Sequence, residues 1–214
     1  MKILSLETSG SVCSVCLSID KNVVAEYSIF KSFEHDRLLA VLVQRILDDF
    51  QMKVSDLDAV AVSSGPGSFT GLRIGAAFAK ALCFDNNPKL IAVPTLSAIA
   101  LSAIDFTGNH KDICCAISSH KDFVYFQKFD KNGNPLSDII FDTIDNVIEL
   151  CSANSLLCGN GFSHIGKKSL FCDGISSTII NKLAVNLFET NSFIHSKDFI
   201  PMYVQEFVPR SNEK

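Results

Sequence analysis

The sequence predicts an α/β protein of two lobes, each following the order β-β-β-α-β-α-β-α, with the second lobe a compressed copy of the first. Three observations predict it. Residues 2–29 hold three short apolar runs separated by tight-turn residues, the pattern of a β-meander. A buried strand at 58–64 passes through Gly65-Pro66-Gly67 straight into a helix at 68–83. After the polar stretch Asp105–Asp112, the same order of elements recurs.

Taken in order, KILSLET (2–8) and VCSVCLSI (12–19) read as strands joined by Ser9-Gly10-Ser11. Asp20-Lys21-Asn22 then turns the chain into a third strand at 23–29. Apolar residues at helical spacing follow from His35 to Phe50, and strand 90–94 and a short helix at 95–103 close the first lobe. In the second half, strands are expected at 113–118, 123–129 and 137–141, a helix at 142–151 and a strand at 155–159. A helical turn after Gly161, a short strand at 169–172 and a helix at 176–188 complete it. The lobes are therefore expected at 1–104 and 105–214, with the last residues free to pack back on the first. A duplicated mixed-sheet unit of this order is that of the fold shared by actin, sugar kinases and heat-shock ATPases, which hosts many functions and cannot select one.

Composition narrows the choice. The 214 residues are 47% hydrophobic and 20% charged, with 19 basic against 23 acidic side chains and a net charge of −4. That balance argues against a protein that coats nucleic acid, although it allows a local basic patch. No apolar run approaches the roughly 18 residues of a membrane helix. The start, MKILSLETSG, turns polar too early for a secretory signal, so a cytoplasmic protein is expected.

Eight cysteines invite a disulfide or zinc reading, and spacing argues against both. Cys13-Ser-Val-Cys16 lies on a strand, where residues three apart face opposite sides. No second CxxC or close histidine pair completes a zinc set. Cys83, Cys114, Cys115, Cys151, Cys158 and Cys172 mostly occupy apolar runs, where a free thiol packs as a small hydrophobe.

The densest signal is SSGPGSFTGLRIG at 63–75. A helix N-terminus can bind an anion, but a Walker loop would need a lysine well before Lys80, and a dinucleotide fingerprint would need glycine where Thr70 stands. The favoured reading is structural: Gly65 and Gly67 permit a tight turn, and Ser68 or Thr70 caps the helix. Gly71, Gly75 and Ala79 then form a small-residue stripe, open to the 35–50 helix or to a partner's helix. On the 35–50 helix, Leu39, Leu42, Val43, Ile46, Leu47 and Phe50 cover an arc of roughly 140°, wider than the usual stripe. Leu38 and Val41 extend it. Either the helix is deeply buried or part of it is a protein–protein surface.

Catalytic patterns are missing. The histidines at 35, 110, 120, 164 and 195 are at least ten residues apart, and neither HExxH, His-x3-His nor GxSxG occurs. Glu7-Thr8-Ser9, at the end of the first strand, is the best isolated candidate for orienting metal-bound water beside a nucleotide phosphate. A polar strand end is the favoured alternative.

These pieces together resemble the bacterial TsaB family of tRNA threonylcarbamoyladenosine biosynthesis proteins along nearly the whole chain. The matching segments are ILSLETS, CSVCLS, HDRLL, SSGPGSFTGLRIGAAFAKAL, VPTLSAIA at 93–100 and Pro201-Met202-Tyr203-Val204. The family is a shortened, two-lobed relative of the catalytic subunit TsaD, and the resemblance implies a non-catalytic scaffold without cofactor or metal. It implies pairing with TsaD, which carries a His-x3-His metal site absent from this chain. The ATPase TsaE joins through TsaD, and tRNA is served indirectly, with no membrane partner. The expected partner surface is the pair of helices at about 35–50 and 68–83, with His35, Leu38, Leu39, Leu42 and Ile46 on the first. Thr70, Gly71, Ile74, Gly75 and Phe78 would lie on the second, and without TsaD the same helices could form a homodimer. A degenerate nucleotide pocket at Glu7, Thr8, Ser9, Gly65 and Gly67 belongs to the alternative, a stand-alone ATP-binding phosphotransferase or ATPase of the same fold. The chain departs from the family in carrying Glu7 in place of the usual Asp, and Ser118-Ser119-His120 in place of Asp-Ala-Arg.

Overall fold

The computed structural model describes residues 1–30, 34–171 and 174–202; Cys172, Tyr203 and Val204 lie outside these, as do the side chains of Asn86 and His164. The first half forms β1 (Lys2–Glu7), β2 (Cys13–Ile19), β3 (Asn22–Ile29), α1 (His35–Asp49), β4 (Ala59–Gly65), α2 (Phe69–Leu82), β5 (Lys89–Pro94) and α3 (Thr95–Ala103). Its five strands lie in the order β3-β2-β1-β4-β5. The meander β1–β2–β3 is antiparallel, whereas β4 and β5 join parallel to β1 because a helix separates each from the strand before it.

The second half forms β6 (Asp112–Ser118), β7 (Phe123–Phe129), β8 (Ile140–Thr143), α4 (Ile144–Glu149), β9 (Ser155–Cys158) and α5 (Ser177–Glu189). The sheet order β8-β7-β6-β9 repeats the first four strands of the first sheet. The duplicated, compressed plan is thus present, and the compression falls on the fifth strand. Instead of a strand at 169–172, the described residues there hold one parallel bridge, Leu170 to Cys158. The strand expected at 137–141 begins later. Asp130 accepts hydrogen bonds from the backbone of Asn132 and Asn134, holding a turn, while Ser137 Oγ accepts from Lys128 N–H in place of a backbone carbonyl.

Alternation along the strands creates three apolar layers. Leu4, Leu6, Val60 and Val62 face α1 and α2. Ile3, Ala59, Ala61, Ile91 and Val93 point the other way and meet α3, α5 and the inner face of the second sheet at Ile113, Cys115 and Ile117. The outer face of that sheet, with Cys114, Ala116 and Phe126, is covered by α4 and the turn at Asn160–Ile165. Cys13 and Cys16 diverge as strand geometry requires: Cys13 joins the α1–α2 layer, and Cys16 faces Thr178 on α5.

The C-terminal helix is fastened to the first sheet by polar contacts. Asn181 Nδ2 donates to Ser5 Oγ at 3.1 Å and Ser18 Oγ at 2.8 Å, all three residues being buried. At the helix start, Ser177 N–H donates to Ser14 Oγ at 2.8 Å, and Glu26 accepts from the Ser177 hydroxyl and the Thr178 N–H, each at 3.1 Å. The chain then returns along the same lobe: Ile194 bridges Leu90, Lys80 Nζ donates to Phe199 O at 3.1 Å, and Met202 N–H donates to Ser64 O at 2.7 Å. Among the described residues, no helix is long and apolar enough to cross a membrane.

Candidate functional site

Two places bring the sequence-predicted residues together: the outer face of α1 and α2, and the carboxyl ends of β1, β4 and β5. The glycine-rich segment links them. Ser68 N–H donates to Ser9 O at 2.7 Å, and Thr8 Oγ1 donates to Gly71 O at 2.8 Å, so α2 is drawn against the end of β1. A side chain at Gly67 would place its Cβ 2.7 Å from Ser9 O, and one at Gly71 would lie 1.9 Å from Thr8 O. Gly65 needs its φ of +101° and touches Met202 and Leu72. Ser68 Oγ accepts from Gly71 N–H at 3.2 Å, the cap that spacing predicted.

That geometry corrects the reading of the small-residue stripe as a landing strip for another helix. A Cβ on Gly75 would stand 2.3 Å from Thr8 Oγ1 and 3.3 Å from Val62, and Ala79 is fully buried in the same layer. The stripe faces the chain's own sheet. Leu38, Leu39, Leu42 and Ile46 likewise belong to the core beneath α1, which accounts for the wide apolar arc. His35 is 7% exposed, and its Nε2 has no hydrogen-bond partner.

Solvent meets a different set of side chains. Val41 is 60% and Phe69 59% exposed, Thr70 and Ala77 are exposed, and Ile74 and Phe78 are half-buried. Arg73 lies over the Phe69 ring, 5.2 Å from its centroid. Phe69 and Ala77 were missed by sequence reasoning. Their signal is helical phase: once Gly71 and Gly75 are known to point inward, residues two positions away point outward. At the upper end of this face, a cavity of about 350 Å³ is lined by Gly10, Ser11, His35, Asp36, Ser68, Thr70, Gly71 and Ile74.

The strand ends hold a second group. Glu7 at the end of β1, Ser63 near the end of β4 and Thr95 at the start of α3, just past β5, lie on the side facing the second sheet and are 1%, 0% and 3% exposed. Glu7 Oε1 accepts from the Ser9 N–H and the Ser63 hydroxyl lies beside the carboxyl, while Thr95 Oγ1 has no hydrogen-bond partner. Burial pushes the Glu7 carboxyl up to about 7, and hydrogen bonding from Ser9 holds the rise in check. Thr95 also lines a cavity of about 180 Å³ between the sheets, with Ser9, Gly10, Ile117, Gly159 and Asn160 among its walls. Thr8 does not join this group, because its hydroxyl is engaged with α2. Gly65 and Gly67 are packed against neighbouring chain, as described above. Among the described residues, no cluster of three histidine, cysteine or acidic side chains could hold a metal ion.

Fold and site define a two-lobed α/β protein of the actin and sugar-kinase type with a shortened second lobe. A family model described as tRNA N6-adenosine threonylcarbamoyltransferase (TsaD) matches residues 15–198. The TsaB protein of Buchnera aphidicola subsp. Baizongia pistaciae is 30% identical, the match covering 95% of this chain and 98% of that protein. The TsaB protein of Escherichia coli K12 is 33% identical across 63% of this chain and 57% of its own length. The solved structure of YeaZ from Pseudomonas aeruginosa superposes with a TM-score of 0.84 at 22% identity, covering 95% of this chain and 99% of that one. The chain belongs to the TsaB family of tRNA threonylcarbamoyladenosine biosynthesis proteins, within the wider threonylcarbamoyltransferase group.

Proposed function

We propose that this protein is a non-catalytic scaffold subunit of a tRNA threonylcarbamoyl transferase assembly in the cytoplasm. Its role is to hold a TsaD-type catalytic partner through the outer face of α1 and α2. TsaE joins through that partner, and tRNA contacts fall mainly to the other subunits. The observation that carries the reading is the exposed apolar ridge of Val41, Phe69 and Ala77 beside half-buried Ile74 and Phe78. A helix face covered only by water gains by burying such a ridge, and an arginine stacked on an aromatic ring is a common anchor at interfaces. In the partner's absence the same ridge pairs two copies of the chain.

The test is reconstitution of threonylcarbamoylation with and without this subunit, together with a Phe69→Asp variant. Phe69 opens α2, where an acidic side chain suits the helix dipole, so the variant should fold. Loss of an exposed aromatic anchor should weaken co-purification with the partner at least about tenfold. Unchanged modification without the subunit would overturn the scaffold role; unchanged pairing of the folded variant would overturn the surface.

A further inference from the structure

We propose that the outer edge of β9 takes an extended, acidic segment of a partner protein as a fifth strand of the second sheet. The repeated plan breaks at this edge. In the first sheet, β4 is flanked by β1 and by β5, both parallel to it. In the second sheet, β9 is flanked by β6, and its other side carries one parallel bridge, from Cys158 to Leu170. There Leu170 N–H donates to Leu157 O at 3.0 Å, and Gly159 N–H donates to Leu170 O at 2.7 Å. The N–H and C=O of one strand residue point to the same side, and alternate residues repeat that side. The Leu157 N–H and the Ser155 C=O therefore face away from β6 as well. Among the described residues, no backbone group pairs with either.

The groove beside this edge selects the charge of its occupant. A cavity of about 730 Å³ lies there, with His110, Ser155, Leu157, Lys167, Lys168 and Leu170 among its walls and no acidic side chain among the described ones. Gly166, at a φ of +66°, ends the turn Asn160–Ile165, and both lysines follow it as exposed residues. Among the described residues, neither lysine has an ion-pair partner. A backbone donor and acceptor at strand spacing recognise an extended main chain, the lysines recognise carboxylates, and the leucines accept apolar side chains at alternate positions.

Other occupants fit less well. Two copies of the chain joined edge to edge through β9 would bring their lysines together, the usual way in which a protein keeps an open edge from pairing with itself. An acidic strand turns that repulsion into attraction. RNA phosphates could meet the lysines but would leave the Leu157 N–H and the Ser155 C=O without strand partners.

The test is amide hydrogen exchange and binding, followed by NMR on the isotope-labelled full chain. Without ligand, the Leu157 amide should exchange at least about tenfold faster than those of Leu156 and Cys158, which face β6. A short peptide of alternating valine and glutamate, added to saturation, should slow Leu157 exchange about tenfold. The same peptide methylated on every backbone nitrogen should leave it unchanged. Lys167→Glu combined with Lys168→Glu, both in an exposed turn, should weaken peptide binding about tenfold while the amide spectrum elsewhere stays that of the parent. A Leu157 amide already protected in the free chain, or no binding of the valine–glutamate peptide, would overturn the proposal. So would equal binding by the methylated peptide or by single-stranded RNA, since charge alone would then account for the groove.

Discussion

Glu7 is a carboxyl group enclosed by protein, and its titration couples to folding. Its ordinary value is 4.5 and its folded value about 7. Between those pH values the unfolded chain gives up the proton while the folded chain keeps it, so stability falls as pH rises through the window. The loss reaches about 3 kcal/mol above pH 7 and vanishes below the unfolded value. Glu7→Gln, neutral throughout, lacks this dependence. Its unfolding free energy relative to the parent, measured with urea from pH 4.5 to 8, should grow more favourable up to about pH 7 and then level off. Parallel curves would show that Glu7 is charged when folded. The charge-bearing candidate was legible from its place at a strand end, but its burial was not, because that depends on Ser63 from β4 and Thr95 from the start of α3, both far along the chain.

At the scale of elements, α5 is seated by groups that the sequence scatters. Glu26, exposed on β3, accepts from the Thr178 N–H and the Ser177 hydroxyl in the first turn of the helix, in effect capping it from outside. Glu26→Ala should cost about 1 kcal/mol by chemical denaturation. Asn181→Leu should cost more, about 2 kcal/mol, since Ser5 and Ser18 lose their buried donor. Equal, negligible effects would mean that α5 is held by apolar contact alone. The existence and type of nearly every helix and strand could be read from periodicity. What could not be read was direction: the stripe of Gly71, Gly75 and Ala79 looks the same in sequence whether it faces a neighbour or its own sheet. Only the position of Thr8 decides. The exposed ridge at Phe69 and Ala77 was hidden for the same reason.

At the scale of the molecule, the layer holding α3 and α5 is shared. It collects Ile3, Ile91 and Leu96 from the first half and Ile113, Tyr125 and Ile180 from the second into one continuous core. The halves repeat a plan, yet the first sheet is covered on its inner side by a helix from the second half. A chain ending at residue 104 would leave Ile3, Ala61 and Ile91 facing water, at a cost near 25 cal/mol per Å2 of apolar surface. Such a fragment should fail to show a cooperative melting transition, whereas the full chain should melt in a single step by calorimetry. A stable, cooperatively melting fragment would show that α1, α2 and the first sheet suffice.

The close approach of α2 to the end of β1 has a bearing on how genetic maps of this chain are interpreted. Gly67, Gly71 and Gly75 each lie within 3 Å, measured from the would-be Cβ, of an atom of Thr8 or Ser9. In a saturation screen scored by growth, these three positions should tolerate almost nothing, a profile usually taken as the mark of a reacting centre or a docking spot. Here that profile would report the fit between a helix and its own strand. Exposed Phe69, Arg73 and Ala77, on the same helix, are where a screen for partner loss should be aimed.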